Sequence, residues 1–196
     1  TNKKIDLFKS NTSHYQMMKD LQMQWKQWSA ENPAIFITYN GHAFDEELVR
    51  RQFFWNLLEP YTTNTNGNGR LDLMLMIHNI AAFFSDEISM PLFEGGPGIS
   101  YKLEHLAIEH GIDAGDAHDA IADCNLMIEM CRIIKERLPE VFKSFINIST
   151  KPGVKELLYS EDFLALGEIH RRHTFRYPVV MCGGDATRPN EIVFFD

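Results

Sequence analysis

Ala34-Ile35-Phe36-Ile37-Thr38-Tyr39 is the stretch that most narrows what this chain can fold into. It is short, apolar and partly β-branched, which predicts a buried strand. Asn40-Gly41 follows as a turn signal, and a helix is expected from about Phe44 to Leu58, ended by Pro60. Strand, turn and helix in that order predict an α/β sheet with a site at the strand's carboxyl end. A helix also precedes the strand, from Ser13 to about Ser29, with Tyr15, Met18, Leu21, Trp25 and Trp28 at helical spacing.

The second informative stretch is Ala117-His118-Asp119-Ala120-Ile121-Ala122-Asp123, at the mouth of a helix expected from Asp119 to Leu138. Its apolar stripe reads Ala120, Cys124, Met127, Cys131, Ile134, Leu138. Asp123 shares a column with Met127, Met130 and Ile134, so a carboxylate begins a buried face. Desolvating that charge is costly without a partner, and a divalent cation is an obvious one. His118 stands five residues before Asp123, one step too far for a pair on one helical face. It is expected in the entry loop or first turn, where a neutral imidazole can act as a general base. The plainer alternative is that Asp119 and Asp123 favour the helix dipole and His118 is a loop residue.

Residues 62–69, rich in Thr, Asn and Gly, are expected to form a mobile loop. Arg70-Leu71-Asp72-Leu73 reads as a short strand passing into a helix, about Met74 to Phe84. An irregular Gly- and Pro-rich loop runs from Ser85 to Ser100, and helices follow from Tyr101 to His110 and from Pro139 to Ile148. Lys151-Pro152-Gly153 marks a composition shift, dividing the chain into residues 1–150 and 151–196. Beyond it a helical stretch, Val154 to Tyr159, gives way to strand-like runs at Phe163–Gly167, Thr174–Cys182 and Glu191–Phe195, the start of a small β-rich domain.

The net charge of −8 means that the surface as a whole does not attract nucleic acid. An enzyme acting on nucleic acid would need a local basic track or metal ions to offset this. Arg171-Arg172-His173 with Arg176 is a candidate track, or else a solvated turn. Three cysteines give no disulfide framework, and no segment is long and apolar enough for a membrane span, so a cytoplasmic protein is expected.

Asn40-Gly41-His42-Ala43-Phe44-Asp45 sets a carboxylate just after the strand, at the start of a helix. Taken alone, Asp45-Glu46-Glu47 is an acidic first turn that balances the dipole. Together, N-x-x-x-F-D, the L-D-L at Leu71–Leu73, Tyr101-Lys102-Leu103-Glu104-His105-Leu106 and A-H-D-A-x-A-D resemble the DEDDh 3′→5′ exonucleases of the DnaQ-like, RNase H-like fold. Within that superfamily the chain is most similar to the bacterial exonuclease I family. The resemblance covers roughly Thr38 to Pro139, with a looser likeness of the tail to the start of that family's small β-barrel domain.

The resemblance implies a metal-dependent 3′→5′ exonuclease on single-stranded DNA that releases nucleoside 5′-monophosphates. It implies that Asp45 and Asp123 are metal-ligating carboxylates, that His118 is the general base, and that Asn40 and Phe44 line the pocket for the terminal nucleotide. Lys102 would lie near the strand's path. Two Mg²⁺ or Mn²⁺ ions and a single-strand DNA-binding protein are the implied cofactor and partner. The chain departs from the family in three places. No opening strand with D-x-E is found before Ser13, so the chain is expected to be a piece starting after that strand. Leu75 and His78 stand where the family has polar or basic residues, and the loop from Ser85 to Ser100 lacks an arginine of the family. Two rival readings are a nuclease-like module that binds without cutting, and an all-helical HD-type metal phosphohydrolase, which the strand at Ala34–Tyr39 disfavours.

Overall fold

The computed structural model describes residues 11–113, 120–188 and 191–196. It is a mixed α/β fold in two compact units, one of the residues up to Phe36 with Gly41–Arg70, the other of Ile37–Asn40 with Leu71–Asp196.

In the first unit, helix α1 (His14–Trp28) starts at Ser13, whose side chain accepts the Gln16 N–H at 3.1 Å. Met18 and Gln22 are its buried residues, and Gln22 satisfies its amide by donating to the Glu59 carbonyl at 2.7 Å. Trp25 wedges its ring between Phe36 and Phe53, with centroids 5.2 and 5.7 Å away. Strand β1 (Ile35–Thr38), which begins in this unit and passes into the other at Ile37, is half-buried along its whole length, where the sequence predicts full burial. Helix α2 (Asp45–Trp55) ends short of the expected Leu58, because Leu57 takes a left-handed conformation with φ 57°.

Residues 62–69 are not the slack loop expected from their composition. Asn68 is buried, accepts the Ala34 N–H at 2.9 Å and donates to the Thr62 carbonyl at 3.0 Å. Gly67 turns the chain at φ +82°, and a Cβ there would meet Pro33 at 3.0 Å. Strand β2 (Gly69–Asp72) pairs with β1. The Gly69 N–H reaches the Ala34 carbonyl at 3.0 Å, so the two strands begin side by side.

The core of the second unit is helix α3 (Leu73–Phe83), which buries Leu73, Met76, Ile77, Ile80, Ala81 and Ala82. Each large apolar side chain sealed there stabilises the fold by about 2 kcal/mol. Helix α4 (Leu103–Glu109) buries Leu106 and Ala107 and packs on helix α5 (Ala120–Arg137). The buried stripe of α5 is Leu126, Met130 and Ile134, continued by Leu138. This corrects the expected stripe. Cys124 is exposed and Cys131 only half-buried, while Asp123 does head the buried column.

Helices α6 (Pro139–Ile148) and α7 (Lys151–Ser160) follow, with the Thr150 hydroxyl accepting the Gly153 N–H at 3.3 Å at the start of α7. Lys151-Pro152-Gly153 is thus the first turn of a helix. Strands β3 (Leu164–His170), β4 (His173–Gly184) and β5 (Ile192–Phe195) form an open antiparallel sheet, and no closed barrel is identified among the described residues. The sheet lies on α3, close enough that a Cβ on Gly167 would meet the Ala82 Cβ at 3.0 Å. These paired strands exclude an all-helical phosphohydrolase fold.

Candidate active site

The turn that leaves β1 carries the first group of candidate residues. Asn40 takes φ 58°, a left-handed conformation that asparagine tolerates better than most residues. Its backbone N–H donates to the Asp72 carboxylate at 2.8 Å. The Gly41 carbonyl then accepts the N–H groups of Phe44 at 3.2 Å and Glu46 at 3.0 Å, which winds the chain into α2. The Phe44 side chain stays 64% exposed, too open for core packing to explain it.

The three acids that begin α2 have different surroundings. Glu46 is held by His42, whose Nε2 lies 3.2 Å from its carboxylate, and by Arg70. Burial pushes its carboxyl up, but the His42 hydrogen bond and the Arg70 charge outweigh this and hold it below the ordinary value. Glu47 pairs with Arg50 and Arg51. Asp45 is exposed and has no side-chain hydrogen bond or ion pair with any described residue. Of the three, it is the carboxylate left available to a ligand, at the end of a helix where its own charge is favoured.

Asp123 lies in the first turn of α5, half-buried, and likewise has no side-chain partner among the described residues. Asp45 belongs to the first unit and Asp123 to the second. His118 lies outside the described residues. Lys102 precedes α4, exposed, with its Nζ 3.4 Å from the Glu104 carboxylate. Among the described residues no group of three or more His, Cys, Asp or Glu side chains is placed to hold a metal ion.

The structure adds a polar cluster behind the turn that sequence reasoning gave no role. Asp72, 5% exposed, ends β2 and caps α3 by accepting the Met74 N–H at 3.1 Å. Tyr39 donates its hydroxyl to the Tyr101 carbonyl, and the His78 ring stands edge-on to Tyr101 at 4.5 Å. Burial pushes the Tyr101 phenol up to about 12. It also pushes the Tyr39 phenol up, with the Asp72 charge adding to the effect. The signal for Asp72 was available as an N-cap residue before an apolar run. Its bond to Asn40, 32 residues away, was not.

No protein-family model matches the chain. It is similar to curated proteins named exodeoxyribonuclease I. It is 33% identical to that of Haemophilus influenzae over 133 residues, 67% of this chain and 28% of that protein. It is 36% identical to that of Escherichia coli over 111 residues, 56% of this chain and 23% of that protein. The chain therefore spans about a quarter of the length of these relatives. Among solved structures, an exonuclease I from Methylocaldum szegediense matches with TM-score 0.78 and 26% identity, over 96% of this chain and 40% of that one. E. coli exonuclease I in complex with a dA16 oligonucleotide matches in fold, with TM-score 0.77 and 23% identity over 93% of this chain and 39% of that one. An ExoI/SSB-Ct complex (TM-score 0.75, 22% identity) and a zinc-bound E. coli ExoI–ssDNA complex (0.74, 24%) share that fold, each over 94% of this chain. Across the stretch they have in common, in sequence and in fold, this chain is exonuclease I-like.

Proposed function

We propose that this chain is part of a metal-dependent 3′→5′ exonuclease that acts on single-stranded DNA and releases nucleoside 5′-monophosphates. The observation that carries the reading is the turn after β1. In an exonuclease I-like chain it presents side by side an exposed Phe44 and an Asp45 with no partner among the described residues, while the neighbouring acids pair with arginines. Asp45 and Asp123 are hard oxygen donors, which suit Mg²⁺ or Mn²⁺. In this reading they share a site with the further carboxylates of the family. Two bound ions there would supply charge stabilisation for the attacking and leaving oxygens. His118 takes the proton from the attacking water, Asn40 and Phe44 receive the terminal nucleotide, and Lys102 meets the strand's backbone. A division near Lys151, a cytoplasmic location and a single-strand DNA-binding protein as partner belong to the same reading.

Arg171 and Arg172 form the two-residue turn between β3 and β4, both left-handed, with φ 49° and 68°. Such turns favour Asn-Gly, and each arginine there costs about 1 kcal/mol. Arg172 is spent on a stack over Phe93, 3.4 Å from the ring centroid. Arg171 is exposed and is the side chain assigned to a phosphate.

The test gives a 3′-labelled single-stranded oligonucleotide, with and without Mg²⁺, to the whole protein of which this chain is part. Ion-dependent cleavage that falls at least about a hundredfold in His118→Ala, with binding retained, supports the assignment. Unchanged cleavage in His118→Ala removes His118 from the mechanism. Ion-dependent binding without cleavage favours the non-cutting module, and no binding at all overturns both readings.

A further inference from the structure

We propose that Asp72 is a positioning residue for the 3′-end pocket, through a single carboxylate oxygen shared by two backbone amides. The inference rests on the nuclease reading above. Asp72 Oδ1 accepts the Asn40 N–H at 2.8 Å and the Met74 N–H at 3.1 Å. The first bond ties down the turn that leaves β1, and the second starts α3. A carboxylate that is 5% exposed must find such donors, because its desolvation is otherwise uncompensated.

A helix cap alone explains only the Met74 bond. The Asn40 bond falls on the one residue of this turn that is held left-handed, a conformation that disfavours a residue with a side chain. The clamp offsets that cost and fixes where the Asn40 side chain starts. The next residue is Gly41, whose carbonyl organises Phe44 and Glu46 on either side of Asp45. Asp72 therefore fixes the backbone of Asn40, a residue assigned to the terminal nucleotide, from which the chain runs on through the peptide bond to Gly41. On the strand side, the Tyr39 hydroxyl bond to the Tyr101 carbonyl holds the residue before Asn40. The turn is gripped on both flanks, as pre-organisation of a pocket requires.

Two substitutions separate the clamp from the cap. Asp72→Ser keeps a good helix-capping hydroxyl but is too short to span to the Asn40 amide. Asp72→Asn keeps an acceptor oxygen at the same reach. Three quantities are read on the full chain: the thermal midpoint, the exchange rate of the Asn40 amide proton, and affinity for a 3′-ended single-stranded oligonucleotide in Mg²⁺. The expected result for Asp72→Ser is a lowered midpoint and, at a temperature where the chain is still folded, exchange at least about tenfold faster and affinity about tenfold weaker. Asp72→Asn should return both to within about threefold of the unsubstituted chain. Unchanged exchange in Asp72→Ser, or faster exchange with unchanged affinity, overturns the inference while leaving the nuclease reading intact. An unsubstituted chain that binds no oligonucleotide overturns the nuclease reading, and this inference with it.

Discussion

His78 is a small imidazole with opposing influences on its charge. Burial holds its pKa below the ordinary value, against the pull of the Asp72 carboxylate. His110 is lowered too, first by burial and then by the Arg137 charge, against the Ser89 carbonyl and Glu109. Both are more readily protonated in the unfolded chain, from about pH 6.5 downward. Their contribution is therefore complete above that pH and is lost as the pH falls through the lowered folded values. Melting curves at pH 7, 6 and 5 should show a falling midpoint, and His78→Gln should flatten the fall. A midpoint indifferent to pH over this range would contradict the burial assigned to both rings. The placement of single residues was legible where a helix start marked it: Asp45 opens α2 and Asp123 lies in the first turn of α5, as expected. Their contacts were illegible where the partner is a remote backbone amide. Nothing in the composition around Asp72 announces Asn40, because one N–H in a chain looks like any other.

Elements were read more faithfully than their phases. Most helices and strands formed within a few residues of their expected limits, since caps and prolines punctuate them. The face of α5 was misplaced because two adjacent columns are apolar. Periodicity fixes the spacing of a stripe, but neighbouring elements decide which column is covered, here Leu126, Met130 and Ile134. The contact of β3 with α3 gives a test at this scale. Gly167 donates its N–H to the Asn79 side chain at 3.3 Å, and a Cβ would sit 3.1 Å from that oxygen and 3.2 Å from Phe83. Strand propensity favours any residue over glycine, yet overpacking should win. Urea unfolding of Gly167→Ala should show a loss of about 1 kcal/mol. A gain would mean that the sheet can slide away from the helix.

For the whole molecule, the net charge of −8 sets how it can meet a polyanion. On the proposed reading, attraction would be local, carried by bound cations and by a few exposed side chains such as Arg171. Affinity for a single strand should fall with added salt, and Arg171→Gln should make the slope of log K against log salt shallower by about 0.7. An unaltered slope would take Arg171 off the strand's path. The α/β class was visible because a β-branched run beside helical periodicity leaves few alternatives. Whether the β3–β4–β5 sheet closes was not, because closure depends on which strands meet, and no local pattern encodes that. Asn68 shows the same limit from the opposite side. Its side chain bolts a polar, glycine-bearing connection to the entrance of β1, so that connection is a strut despite its composition. Engineers seeking a harmless place for a tag or an inserted module would choose 62–69 by eye, and there they would unseat the strand that leads into the Asn40 turn.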